Sequence, residues 1–241
     1  MAGRLLCAVA TLREFSALFP RRKRVPAEHR PVSLRPGLAA CITGVGPVNA
    51  GIALGRLLAL RRDITGVIML GLAGSFDLAR APLGSCILGT EEIWPEYGLC
   101  GADGTTDAPG LGFAQWERGD LRIVDRLPLC ADMALIGLPR FTNALPGIFL
   151  TVAGVSADAR RADMLARRYQ PLGENMEGFA AALACARRGI PCAELRVVSN
   201  KVGSRAPQDR AFPLALAKLG VLGQNLFEQA LSREPAIQME V

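Results

Sequence analysis

Three polar residues stand where packing alone gives them no reason to be: Glu14, Glu177 and Asn200. Glu177 belongs to a charged and amide-bearing cluster, ENMEG at 174–178, which opens a run of small apolar residues closed by Arg187, Arg188 and Gly189. Asn200 follows Ser199 at the end of a strand-like run, and Glu14 follows the apolar run at 4–10. A carboxylate accepts hydrogen bonds or takes a proton, and a primary amide presents one acceptor oxygen and one donor group. In open α/β sheets ligands bind outside the carboxyl ends of the strands. Glu177, near a helix start, and Asn200, at a strand end, therefore read as two sides of one pocket. Glu14 has two readings. Thr11 and Glu14 have the T-x-x-E spacing of a capping box, and Glu14 also stands at the carboxyl end of the first strand.

The elements that must position these residues alternate. Apolar runs at 4–10, 31–34, 38–43, 66–72, 85–93, 147–155 and 190–200 read as strands. Arg35-Pro36-Gly37 makes the turn between the second and third. Helical segments are expected at 11–20, 47–61, 156–168, 178–188 and 209–231, with a short helix or turn at 132–138. The fold class is α/β: one domain over 1–241 with a mixed, mostly buried central sheet flanked by helices. Residues 95–120, rich in Gly, Asp, Thr and Pro, are expected to be a loop excursion with little regular structure, and the chain after 233 a frayed tail. The Gly44-Val45-Gly46-Pro47 connection is short of a phosphate-loop or dinucleotide fingerprint, and both a structural turn and a ligand loop remain open. Four strand ends, near Ala10, Gly44, Gly74 and Ser199, finish in small or polar residues, as a site along one sheet edge requires.

Composition narrows the function classes. The 241 residues carry a net charge of +6, spread mainly over arginines, and the densest cluster is Arg21, Arg22, Lys23 and Arg24. With few aromatics beside it, that cluster reads as a solvated loop, so no nucleic-acid partner is expected. The single His29, read as a loop residue, leaves no histidine metal cluster and no Ser-His-Asp triad. The seven cysteines are odd in number and form no CxxC pair, which speaks against disulfides and zinc and for a reducing, cytoplasmic setting. Arg13 and Glu14 interrupt the first apolar run, so the first twenty residues do not read as a secretory leader, and no run reaches the ~18 residues of a membrane helix. Neither a metal nor a cofactor is called for.

Asn175-Met176-Glu177-Gly178 resembles the MEG signature of the purine nucleoside phosphorylase / methylthioadenosine nucleosidase superfamily, and Arg196 to Asn200 (RVVSN) resembles its second signature, a strand ending in Ser-Asp or Ser-Asn. The acid after the first strand, the G-x-G loop and the Gly-Leu-Ala-Gly strand end at 71–74 follow in the same order. With TEEIWPEYG ahead of a glycine-rich stretch, the combination is most similar to the futalosine-hydrolysing branch, whose reaction releases hypoxanthine in menaquinone biosynthesis.

The resemblance implies hydrolysis of an N-ribosidic bond, through a ribosyl cation and a purine leaving group. Glu14 would activate water and Glu177 would hold the ribose, with Met176 packed on the sugar. Adenine-releasing relatives carry Asp at the position of Asn200; an asparagine can donate to a 6-oxo group and accept from a protonated N7. Glu14 and Asn200 are thus the expected catalytic residues, and Glu177, Met176, Asn175, Ala73, Gly74, Val155, Ser156 and Ser199 the expected substrate-binding ones. Val155 departs from an aromatic and Leu72 from a serine in the family pattern. The partner is a small nucleoside, and a homo-oligomer is implied. A methylthioadenosine/adenosylhomocysteine-type nucleosidase, a 6-oxopurine phosphorylase and a non-catalytic nucleoside-binding protein are the alternatives.

Overall fold

A computed structural model of the chain describes residues 3–26, 30–139 and 141–228. His29 and the tail expected after 233 lie outside the described residues. The chain begins with β1 (Arg4–Val9) and α1 (Leu12–Leu18), then a hairpin of β2 (Val32–Arg35) and β3 (Leu38–Ile42), α2 (Pro47–Leu60), β4 (Ile64–Ser75) and β5 (Cys86–Ile93). The stretch that follows differs from the expected irregular excursion. It folds into two small antiparallel ribbons, β6 (Leu99–Cys100) with β7 (Thr106–Asp107) and β8 (Trp116–Arg118) with β9 (Leu121–Ile123), bracketing a single helical turn α3 (Ala108–Leu111). These strands are two or three residues long, too short to write a periodic pattern.

The chain continues through β10 (Arg126–Pro128), a 3₁₀ turn at Met133–Ile136, β11 (Leu145–Thr151), α4 (Ala159–Tyr169), β12 (Gly173–Asn175), α5 (Gly178–Arg188), β13 (Cys192–Lys201) and α6 (Phe212–Glu228). β11 stops four residues earlier than its apolar run. α4 starts at Ala159 because Asp158 caps it, its carboxylate accepting the Arg161 N–H at 3.0 Å.

Among the described residues the principal sheet has nine strands. β1 runs parallel between β3 and β4; β13 runs parallel to β4 and antiparallel to β5; β5 and β11 are parallel, as are β11 and β12; β12 closes back antiparallel onto β4. α1 and α6 cover one face, where Phe15 and Leu18 pack with Leu222, Leu226 and Phe227. α2 and α5 cover the other, where Leu54, Leu58 and Phe179 meet Leu6 and Met69. Each such side chain contributes about 1.5–3 kcal/mol by leaving water. Among the described residues no helix is long and apolar enough to cross a membrane.

One irregularity of the sheet creates the site. β4 pairs with β1 from Ile64 to Met69 and with β12 only at Gly74 and Ser75. Between those limits Leu70, Gly71, Leu72 and Ala73 have a strand partner only in β13. The gap is a fork in the sheet, and its backbone groups need partners from elsewhere.

Candidate active site

Glu14 reaches the fork from α1. Both halves of the capping box form: Glu14 N–H donates to Thr11 Oγ1 at 3.2 Å, and Glu14 Oε2 accepts from Thr11 N–H at 2.9 Å and Thr11 Oγ1 at 2.8 Å. The other oxygen, Oε1, accepts the Leu72 N–H at 3.1 Å. One carboxylate therefore both closes the capping box and reaches the backbone of β4. Glycine at 71 leaves room for this carboxylate, since a Cβ would lie 2.6 Å from Glu14 Oε1 and displace it.

Arg196, in β13 opposite Gly71, is the other occupant of the fork and is buried. Its Nε donates to Glu194 Oε1 at 2.7 Å, and its Nη1 to Glu177 Oε2 at 3.1 Å and to the Leu72 carbonyl at 3.2 Å. Burial alone would lower its basicity, but the surrounding Glu194, Glu177 and Glu14 carboxylates outweigh that and push it further up. Leu72 is thus held by its N–H on Glu14 and by its C=O on Arg196.

Glu177 is the N-cap residue of α5 and is buried, yet its side chain does not cap the helix. It turns instead to the β3–α2 connection, where Oε1 accepts the Gly46 N–H at 3.0 Å. Gly44 and Gly46 have φ of 82° and 92°, which only glycine adopts readily, so that turn presents a backbone donor to a carboxylate. The capping task falls to Asn175, whose Oδ1 accepts from the N–H groups of Glu177 at 2.9 Å and Gly178 at 2.8 Å while its Nδ2 donates to Glu92. Its amide is spent inside the protein, which makes Asn175 an anchor for the α5 entry. Met176 beside it is half-buried.

The other expected residues gather further along β4. A β-bulge in β13 between Val198 and Asn200 shifts the register and aims Asn200 beside Gly74. A Cβ at Gly74 would lie 3.0 Å from Asn200 Nδ2. Ser199 Oγ lies 3.2 Å from the Ala73 carbonyl and donates to Asn200 Oδ1 at 2.9 Å; Asn200 Nδ2 donates to the Lys201 carbonyl at 3.2 Å. Ser156 sits on Glu174, which accepts its N–H at 2.9 Å and its hydroxyl at 2.6 Å. Burial raises the Glu174 carboxyl above its ordinary range, against the lowering effect of Ser156. Val155 is 45 % exposed. No hydrogen bond joins Asn200, Val155 or Ser156 to Glu14 or Glu177 among the described residues. The structure brings together Glu14, Glu177 and Asn175 as one cluster and Ala73, Gly74, Ser199 and Asn200 as another.

Sequence reasoning missed Arg196, Glu194, Glu92 and Thr151. Glu92 is fully buried, accepting from the Thr151 hydroxyl at 2.7 Å and from Asn175. The available signal was periodicity: Glu194 and Arg196 are two apart in a strand, hence on one face, in a run otherwise read as apolar. Among the described residues no group of three or more acidic, His or Cys side chains has a metal-holding arrangement.

Comparison with known proteins shows the family and the fold. The model of the phosphorylase superfamily matches residues 28–230. The chain is 39% identical to a futalosine hydrolase from Thermus thermophilus over 164 residues, covering 68% of this chain and 69% of that protein. It is 35% identical to a futalosine hydrolase from Streptomyces coelicolor over 173 residues, 70% of this chain and 68% of the other. Among solved structures, a Helicobacter pylori 5′-methylthioadenosine/S-adenosylhomocysteine nucleosidase superposes with a TM-score of 0.71 at 14% identity, covering 97% of this chain and 99% of its own. The H. pylori futalosine hydrolase superposes equally well, with a TM-score of 0.71 at 13% identity over 97% and 99% of the two chains.

Proposed function

The chain belongs to the phosphorylase superfamily and is a nucleosidase; from that premise we propose that it hydrolyses the N-ribosidic bond of futalosine, releasing hypoxanthine and dehypoxanthine futalosine, in menaquinone biosynthesis. The observation that carries the proposal is the fork, where Glu14 holds the Leu72 N–H while Arg196 holds both the Leu72 carbonyl and the Glu177 carboxylate. Hydrolysis asks for an activated water, a stabilised ribosyl cation and a leaving base held by hydrogen bonds.

Glu14, anchored through three donors, keeps acceptor capacity for a water proton. Its role is general base. Glu177 accepts from Gly46 and Arg196 and has lone pairs left for ribose hydroxyls, and its negative charge favours the cation that develops at the sugar. Among the described residues the Asn200 side chain is bonded only to Ser199 and Lys201, so its amide can turn to the 6-oxo and N7 edge of hypoxanthine. Ala73, Gly74, Val155, Ser156 and Ser199 line the base, and Met176 lies against the sugar.

Hydrolysis is favoured over phosphorolysis because the arginine of the fork is already committed to Glu177 and Glu194. The Arg21 to Arg24 cluster is exposed, and Arg22 donates to the Leu34 carbonyl instead of entering the fork. The reading includes a cytoplasmic homo-oligomer. Free cysteines throughout support the reducing compartment. The apolar groove between α2 and α5, about 670 Å³ with Ile52, Trp94 and Leu183 in its wall and exposed Val48 at its rim, supports a second copy as partner. Light scattering at micromolar concentration tests the oligomer. The activity is tested by incubating the protein with futalosine, inosine and methylthioadenosine, each with and without phosphate, and following free base. Hypoxanthine from futalosine without phosphate is expected. Phosphate-dependent turnover, or rapid adenine release from methylthioadenosine, overturns the reading.

A further inference from the structure

Beneath the fork lies a second pair of acids that the proposed mechanism does not use. Glu92, from β5, and Glu194, from β13, are both completely buried. Their carboxyls converge on the entry of α5: a Cβ added at Gly178 would lie 2.0 Å from Glu92 Oε1 and 2.5 Å from Glu194 Oε2. That is why the helix must begin with glycine. Glu194 Oε1 is satisfied by Arg196 Nε at 2.7 Å, whereas Glu194 Oε2 is buried without any donor. Glu92 accepts from Thr151 and Asn175 and has no cation of its own among the described residues. Two ionised carboxylates cannot share a dry site with one arginine already divided between Glu194 and Glu177. A proton on Glu92 resolves both anomalies, since it removes the repulsion and supplies the missing donor to Glu194 Oε2.

We infer that Glu92 and Glu194 share one proton, as a carboxylic acid–carboxylate pair, and that the pair positions Arg196 and through it Glu177 in the fork. The relay runs from Glu92 to Glu194, to the Arg196 Nε edge, and from Arg196 Nη1 to the Glu177 carboxylate. The part assigned to Glu177 rests on the proposed nucleosidase site; the shared proton does not. The directions of titration agree with this assignment. Burial first, then Glu194, pushes Glu92 well up, while Glu194 is raised by burial and pulled back by Arg196. Among the described residues the other groups facing the pair carry no further cation. β11 brings the Thr151 hydroxyl and β12 the Asn175 amide. Cys192 on β13 is pushed well up, by its hydrogen bond with Cys185 on α5 and then by burial, and Glu177 lies beyond Arg196. Because the pair shares its titration, the ionisation belongs to both residues together.

The test combines a spectroscopic and a kinetic reading on the full-length protein. Infrared spectra of protein labelled with ¹³C-glutamate are recorded at neutral pH. The wild-type spectrum is expected to contain a protonated-carboxyl stretch that Glu92→Gln removes; an unchanged stretch in that variant overturns the shared proton. Glu92→Ala, which cuts the relay, is expected to lower kcat by roughly 10²-fold through misplacement of the site. Glu92→Gln keeps a neutral donor toward Glu194 and recovers most of that loss. Equal loss in both variants, or none in either, overturns the positioning role. Thermal melting supplies a reading independent of substrate. A group with a raised folded-state pKa stabilises fully below its unfolded value, and that contribution disappears as pH rises through the folded value. The wild-type melting temperature should therefore fall with rising pH on this account, and Glu92→Gln should flatten the fall. If no nucleoside is turned over, the proposed function fails, while the infrared and melting results still decide the shared proton.

Discussion

The two ends of the candidate site are built differently. At the end proposed to hold the ribose, Glu14, Glu177 and Arg196 are buried and joined by hydrogen bonds that cross from α1 to β4, β13 and the α5 entry. At the end proposed for the base, Asn200 is partly exposed, its side chain bonded among the described residues only to Ser199 and Lys201, and Val155 is open to solvent. The proposed ribose end has its charges fixed by the protein's own hydrogen bonds, and preorganised charge is where most transition-state stabilisation originates. Chemistry common to a superfamily belongs at the fixed end, and discrimination among bases at the adjustable one.

Four substitutions break or sharpen that contrast. The largest effect is expected at Arg196. Arg196→Met leaves Glu177 and Glu194 buried without their cation, and loss of one partner of a buried pair costs about 3–5 kcal/mol. Chemical denaturation should show it, together with loss of activity. Glu14→Gln should reduce kcat by about 10²–10⁴-fold as the general base disappears, with folding retained because the amide oxygen can still accept from Leu72. A fall of less than threefold, about 0.6 kcal/mol of barrier, would remove Glu14 from the chemistry. Asn200→Asp should leave stability within about 0.5 kcal/mol and move the kcat/KM ratio from 6-oxopurine toward 6-aminopurine nucleosides. Unchanged selectivity would show that the base end does not read O6 through Asn200. Thr11→Ala, which removes a cap but leaves the Glu14–Leu72 bond, should cost about 1 kcal/mol in denaturation and change kcat little.

Much of the fold was legible because its strands are long and apolar and its turns are marked by glycine and proline. β1, β3, β4, β5 and β13 fall on runs read from sequence, and Glu177 falls at the helix entry where it was expected. The fork was not legible. It depends on where β4 leaves β1 and meets β12, a matter of tertiary register that no local pattern records. Arg196 was hidden for the same reason, since a charged residue inside an apolar strand has the same spacing whether it faces water or a buried carboxylate. Glu14 shows the converse. Its capping box was readable and correct, and that local explanation was sufficient enough to conceal the second oxygen on Leu72. The ribbons at 99–123 escaped because two-residue strands carry no periodicity.

The bond from the Leu72 amide to Glu14 gives the molecule an internal reporter. Most strand amides sense only their ladder partner, but this proton senses a side chain expected to gain and lose a proton during turnover. In nuclear magnetic resonance its chemical shift and exchange rate should follow the state of Glu14, while amides further back in the ladder, such as that of Ile68, stay silent. Titrating a ribosyl-cation mimic against ¹⁵N-labelled protein would then register occupation of the ribose end from one backbone resonance.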